Sequence, residues 1–198
     1  LGNEYGAMTY VDDCHGEGVI GKDGRGIGSH FGIEGKIDVE MGKFSKALGV
    51  VGGMIAGSRD LVNFALNKSR TWLLSGSAPP ATTAACTEAI KVLETEPEHV
   101  NNLWNNINYF KKELVSLGFD CGDSETAITP VIIGDSHKAK DFSDALIKNG
   151  VFALPIVFPM VARDKARIRN MMNAGLTKDD LDVVLSIYEK LGKRFDLI

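Results

Sequence analysis

The pattern of the sequence changes near residue 119, and this change constrains the fold more than any other feature. Before it, short apolar runs are separated by glycine-rich turns; after it, apolar strands alternate with amphipathic helices. The sequence therefore predicts an α/β protein with two domains, over residues 1–97 and 119–198. A predicted helix over residues 98–118 connects them.

Periodicity and capping residues predict the individual elements. Thr177 is the expected N-cap of the last helix, with Asp179 and Asp180 in its first turn. The expected strands cover residues 7–11, 37–41, 53–57, 128–133, 151–157 and 166–171, and the expected helices cover residues 59–68, 81–94, 98–117, 136–149 and 178–193.

Composition and charge exclude several classes of function. A formal net charge of −4 provides no basic field for nucleic acid or an anionic membrane. No apolar run approaches the roughly 20 residues that span a bilayer. The three cysteines, Cys14, Cys86 and Cys121, lack the spacing of a zinc site or a disulfide framework. We expect a cytoplasmic protein without a metal site.

Two short segments carry the groups that pyridoxal-phosphate chemistry requires. An apolar strand runs into Asp12 and Asp13, His15 follows, and Lys46 lies in a glycine-rich loop. A carboxylate keeps a pyridine nitrogen protonated, and an amine forms an imine with the cofactor aldehyde. Because alternate side chains of a strand point to opposite faces, Asp12 and Asp13 should not share one site, and we assign Asp12 to it.

The surroundings of Lys46 favour a planar ligand. Its neighbours are small or apolar, and glycines at positions 42, 49, 52 and 53 allow the backbone to approach a ring closely. We expect desolvation to lower the pKa of the Lys46 amine. Taken singly, Asp12 also suits a strand-end turn, His15 a structural hydrogen bond, and Lys46 a solvated turn.

The chain resembles the α-oxoamine synthases, a family of type I, aspartate-aminotransferase-like pyridoxal-phosphate enzymes. The resemblance covers essentially the whole chain and implies the later part of the large, mainly parallel sheet domain followed by a small C-terminal α+β domain. Since the family's chains are about twice as long, the resemblance is to their C-terminal half. The segments that carry it are VDDCHGEGVIGKDGRG, FSKALGVVGG, SGSAPP, ITPV, GD and ARIR.

The resemblance implies a role for each catalytic residue. Asp12 would pair with the pyridine nitrogen of pyridoxal 5'-phosphate, and His15 would bond the phenolic oxygen of the ring. Lys46 would form the imine and afterwards move protons during the reaction. These three residues form the predicted catalytic site.

The resemblance also implies contacts to the phosphate and the substrate. Ser75 and Ser77 would reach the cofactor phosphate of a neighbouring subunit, and Lys43 stands where the family usually has a phosphate-binding threonine. Arg169 would clamp the carboxylate of the amino acid, which suits a planar guanidinium. Arg167 is predicted on the other face of the same strand.

The implied activity joins an amino acid, glycine or alanine, to an acyl-CoA and gives a 2-amino-3-oxo product. Among family members, glycine C-acetyltransferase is the first expectation, and 8-amino-7-oxononanoate synthase is the alternative. Another type I enzyme, such as an aminotransferase or aldolase, and a diverged binding protein without catalysis stay open. The resemblance further implies a homodimer with its active sites at the subunit interface.

Overall fold

The computed structural model describes all 198 residues and divides into two compact units, Leu1–Val100 and Asn101–Ile198. The helix predicted as a connection is Glu98–Leu117, and its Phe110 and Leu114 are fully buried in the core of the second unit. From Asn101 onward this helix therefore belongs to the second unit and contributes to its core. None of the helices is long and apolar enough to cross a membrane.

The first unit combines a small sheet with short helices and glycine-rich turns. Strand β1 begins three residues later than expected, and the Thr9 N–H just before it donates to the Asp38 carboxylate at 2.7 Å. The elements are α1 (Gly2–Tyr5), β1 (Tyr10–Asp12), a 3-10 turn (Lys22–Gly24), α2 (Ile27–His30), β2 (Val39–Lys43), β3 (Gly53–Gly57), α3 (Arg59–Lys68), α4 (Arg70–Leu73) and α5 (Pro80–Thr95).

The sheet of this unit has the order β1-β2-β3. Strands β1 and β2 are parallel, with Asp12 opposite Met41, whereas β2 and β3 are antiparallel, with Lys43 opposite Gly53. Because parallel strands end at the same edge, the segments that follow Asp12 and Lys43 leave the sheet side by side. Ligands of open α/β sheets bind at this kind of edge.

The first unit buries little apolar surface. Its buried hydrophobic residues are Cys14, Val39, Cys86 and Val100. Large apolar side chains on the sheet and nearby remain exposed, among them Tyr10 at 63% and Ile55 at 44%. The faces of this sheet therefore lack the cover that an α/β sheet normally has.

The second unit is an antiparallel sheet in the order β4-β6-β5, with helices on one side. Strand β5 is shorter than predicted because the Val151 N–H donates to the Leu146 carbonyl at 2.9 Å and closes the preceding helix. Besides α6 (Glu98–Leu117), its elements are β4 (Ile128–Gly134), α7 (Ser136–Lys148), β5 (Leu154–Ile156), β6 (Ala166–Met171) and α8 (Lys178–Arg194).

The core of the second unit is centred on Tyr188. The Tyr188 ring makes edge-to-face contacts with Phe110, Phe119 and Phe142 at centroid distances of 6.0, 5.7 and 5.7 Å. Its hydroxyl donates to Asn170 Oδ1 on β6 at 2.6 Å, so this buried polar atom is satisfied. One face of the sheet is thereby packed on the helices.

The predicted cap of α8 is present as a capping box. Thr177 Oγ1 accepts from the Asp180 N–H at 3.2 Å, and the Asp180 carboxylate accepts from the Thr177 N–H at 2.8 Å.

We expect Thr177→Ala to lower the free energy of unfolding by about 1 kcal/mol, because the side-chain cap is lost. Thr177→Ser keeps the hydroxyl and should keep the wild-type free energy of unfolding. Denaturant titration of both variants measures this, and equal midpoints for Ala and Ser would contradict it.

Candidate active site

Asp12 is the last residue of β1 and its side chain is exposed at the edge where β1 and β2 end. The carboxylate accepts a hydrogen bond from the Cys14 N–H at 3.0 Å. Hydrogen bonds from the Cys14 thiol and N–H hold the pKa of Asp12 below its usual value, and the charges of Lys46 and His15 add to this effect. Asp12 is therefore a carboxylate that stays ionised.

The Cys14 sulfur also lies 3.2 Å from Met41 Sδ on β2. A thiol has one hydrogen to donate, and an anionic carboxylate is a stronger acceptor than a thioether. The contact with Asp12 accordingly raises the pKa of the Cys14 thiol. Cys14 is buried just after β1, where its N–H donates to Asp12 and its sulfur contacts Met41.

Asp13 faces away from Asp12, as the alternation of a strand requires. Its half-buried carboxylate accepts from the Ile27 N–H at 2.7 Å, at the start of α2. Burial raises the pKa of Asp13, although the hydrogen bond from Ile27 opposes this rise. Asp13 thus anchors the long turn between β1 and β2 and does not enter the site.

Lys46 lies in the turn that follows β2. This turn approaches the loop that follows Asp12. The Val50 N–H donates to the Phe44 carbonyl at 2.9 Å and closes the turn. A Cβ at Gly18 would lie 2.5 Å from Ala47 Cβ, so the glycine permits the two loops to touch. The charge of Lys46 is close enough to lower the pKa of Asp12.

The expected desolvation of Lys46 is wrong for this chain. The Lys46 side chain is exposed, and so are Asp12 and His15. The reason is that this edge of the sheet lacks covering elements in the first unit. Lys46 and His15 nevertheless lie near enough to Asp12 for their charges to lower the pKa of its carboxyl.

Glu17 is a structural residue of the site that the sequence analysis missed. Its half-buried carboxylate accepts from the Lys43 N–H at 3.1 Å. A Cβ at Gly42 would lie 1.9 Å from Glu17 Oε1, so Gly42 admits this carboxylate and not a ligand ring as predicted. Burial raises the pKa of Glu17. In the sequence, the glycines on both sides of Glu17 were the feature that indicated a close contact at this residue.

The predicted phosphate contacts lie in exposed positions. Lys43 ends β2 with its side chain exposed. Ser75 Oγ donates to the Gly76 carbonyl at 3.0 Å, and Ser77 is exposed in the loop before α5. The structure shows no group of His, Cys, Asp or Glu side chains arranged to hold a metal ion.

Arg169 lines a cavity of about 540 Å³ on the second unit. The cavity lies on the face of the sheet opposite the helices, where alternate residues of β4 such as Ile128 and Pro130 also point. Arg167 lines the same cavity, so its predicted placement on the other face is wrong. Residues two apart on a strand share a face, and the buried Ile168 between them points to the core instead.

A family model, aminotransferase class I and II, matches residues 1–187. The chain belongs to this family. Solved structures with the same fold include serine palmitoyltransferase from Sphingomonas wittichii, 26% identical with a TM-score of 0.93 over 100% of this chain and 50% of that chain. A structure of 8-amino-7-oxononanoate synthase from Francisella tularensis, 22% identical, aligns with a TM-score of 0.82 over 96% of this chain and 56% of its own. The predicted type I fold is confirmed.

Curated relatives confirm the resemblance to the α-oxoamine synthases and correct the expected member. Proteins named 8-amino-7-oxononanoate synthase from Symbiobacterium thermophilum and Thermoanaerobacter pseudethanolicus are 50% and 49% identical over all 198 residues. They support the predicted alternative and not glycine C-acetyltransferase. The chain spans about half the length of these relatives, 50% in both cases. Its correspondence to their C-terminal half stays a prediction.

The support of Asp12 by Cys14 predicts a measurable shift. In Cys14→Ala, the thiol hydrogen bond is lost, so the pKa of the Asp12 carboxyl should rise toward its ordinary value of about 3.9. The carboxylate would then protonate at a higher pH as the solution is acidified. Carbon-13 NMR titration of the Asp12 carboxyl measures this, with Cys86→Ala as the control at another buried cysteine. An unchanged titration in Cys14→Ala would contradict the assignment.

Proposed function

We propose that the full-length polypeptide is a pyridoxal-phosphate-dependent acyltransferase that condenses alanine with a carboxylated acyl-CoA. The observation that carries this proposal is the meeting of Asp12, His15 and Lys46 at one sheet edge. The relatives' name supplies the expected product, a nine-carbon chain with a carboxylate at carbon 1, a ketone at carbon 7 and an amine at carbon 8.

That product fixes what the substrates contribute. A seven-carbon acyl group with a terminal carboxylate supplies carbons 1–7, and alanine supplies carbons 8 and 9 after loss of its carboxyl group as carbon dioxide. The acyl group leaves CoA as the new carbon–carbon bond forms. This assignment narrows the predicted choice of glycine or alanine to alanine.

The residues at the sheet edge fit the cofactor by their chemistry. Asp12 offers an ionised carboxylate to a protonated pyridine nitrogen, and its low pKa keeps that charge at working pH. His15 offers a ring nitrogen to the phenolic oxygen. Lys46 offers an amine on the turn beside them. When bound, the cofactor supplies an electron sink for negative charge at the substrate α-carbon.

The chain's own residues perform the remaining tasks. Asp12 would orient the ring and keep it positively charged, and His15 would hold its phenolic side. Lys46 Nζ would act as the general base that removes the α-proton of the amino acid and would hold that proton for return. Catalysis of this kind is worth about two to four orders of magnitude in rate.

Arg169 binds the carboxylate of the amino acid in this proposal. Its guanidinium lines the cavity of the second unit, and a planar fork of donors matches a carboxylate bidentately. Lys43, Ser75 and Ser77 would bind the cofactor phosphate, with the two serines reaching the site of a second subunit. We therefore propose a homodimer with its active sites at the interface.

A transamination activity is the competing proposal, because the matching family model describes aminotransferases. Thiol release distinguishes acyl transfer from transamination.

We expect the full-length polypeptide to release CoA thiol from a seven-carbon acyl-CoA with a terminal carboxylate when alanine is present. Glycine or serine in place of alanine should give slower release. Transfer of the amino group to an oxo acid without thiol release would overturn the proposal.

A further inference from the structure

Arg167 shares the cavity of the second unit with Arg169, and the activity proposed above gives it no role. Both arginines point from β6 to the face opposite the helices, while Ala166, Ile168 and Asn170 are buried beneath them. Their Cα atoms lie about 6.6–6.8 Å apart, because a strand rises about 3.3–3.4 Å per residue. Two guanidinium groups therefore face one cavity at separate positions.

The strand register sets Arg167 among apolar side chains. Strand β6 is the middle strand, and Arg167 pairs with Ile132 on β4 and with Ile156 on β5. Both isoleucines line the cavity, as does Met160. The half-buried Arg167 thus stands between two isoleucines in one row across the open face of the sheet.

The hydrogen bonds of Arg167 leave most of its donors unused. Its Nε donates to the Lys165 carbonyl at 3.0 Å, which fixes the orientation of the guanidinium. The terminal nitrogens have no acceptor in the chain. Asp123 also lines the cavity but forms no ion pair with Arg167. A half-buried cation with oriented, unused donors favours an anionic ligand.

We infer that Arg167 binds the terminal carboxylate of the acyl chain and so determines that the enzyme prefers a carboxylated acyl group. The inference rests on the proposed function, since the ligand is the acyl substrate of that reaction. The methylene chain lies against Ile132 and Ile156, and its far end meets the guanidinium of Arg167. In the proposed function Arg169 binds the carboxylate of alanine, so the second carboxylate of the reaction needs a second guanidinium.

The test compares two acyl-CoA substrates that differ only at the far end of the chain. Thiol release is followed with alanine and either the seven-carbon acyl-CoA that carries a terminal carboxylate or heptanoyl-CoA, which has none. In Arg167→Gln, the ratio of the two kcat/KM values should fall by about 10- to 100-fold, the loss expected for one hydrogen-bonded charge pair. Arg167→Lys keeps the positive charge but loses the planar pair of guanidinium donors. Its ratio of kcat/KM values should therefore lie between those of the wild type and Arg167→Gln.

Two matched variants separate this role from general effects. Arg169→Gln should raise the KM of alanine and leave the ratio of the two acyl-CoA substrates as in the wild type. Arg194→Gln, at an exposed position at the end of α8, should change neither quantity. Thermal melting of each variant confirms that it folds. An unchanged acyl-CoA ratio in Arg167→Gln and Arg167→Lys would overturn the inference.

A binding measurement decides the role of Arg167 even if no thiol is released. Absence of thiol release from the wild type would refute the proposed function. Isothermal titration with heptanedioate and heptanoate then tests Arg167 directly. Preference for heptanedioate that falls about tenfold or more in Arg167→Gln supports the inference. Equal preference in the wild type and the variant contradicts it.

Discussion

The parallel pairing of β1 with β2 is the constraint on which the candidate site depends. It ends both strands at one edge, so that Asp12 and the turn carrying Lys46 emerge side by side. Two carboxylates then fix the segments that follow these strands. Asp13 accepts a hydrogen bond from the Ile27 N–H, and Glu17 accepts one from the Lys43 N–H. Burial raises the pKa values of both carboxylates, and the hydrogen bond that each accepts from a backbone N–H opposes this rise. The site is thus built by backbone anchoring, and its functional side chains remain exposed.

The two units differ in how completely they bury their apolar surface. The second unit packs three aromatic rings around Tyr188 and leaves one sheet face open as a cavity with two arginines. The first unit exposes apolar side chains on its sheet, and its active-site edge is open. Relatives twice as long have further chain to cover such surfaces. We therefore propose that the first unit becomes a closed active site only within the full-length dimer.

Local patterns predicted the elements that local forces determine. The bounds of β3, α3, α6 and β6 agree with the periodicity, and the cap at Thr177 follows from its side-chain chemistry. Alternation along β1 correctly separated Asp12 from Asp13. The start of β5 was misplaced because the local closure at the end of α7 uses the Val151 N–H. Glu17 was missed because its partner is 26 residues away, and Arg167 was misplaced although its spacing from Arg169 already put both on one face.

The central claim is that Lys46 is the residue that holds pyridoxal phosphate covalently beside Asp12. The most direct measurement treats the full-length polypeptide with pyridoxal phosphate, reduces it with borohydride and maps the modified peptide by mass spectrometry. The account predicts a pyridoxyl group on Lys46, absent from Lys46→Ala and retained in Lys68→Ala, a lysine at the end of α3 that has no role in the site. Modification of Lys43 or another lysine in place of Lys46, or no stable modification, would contradict it.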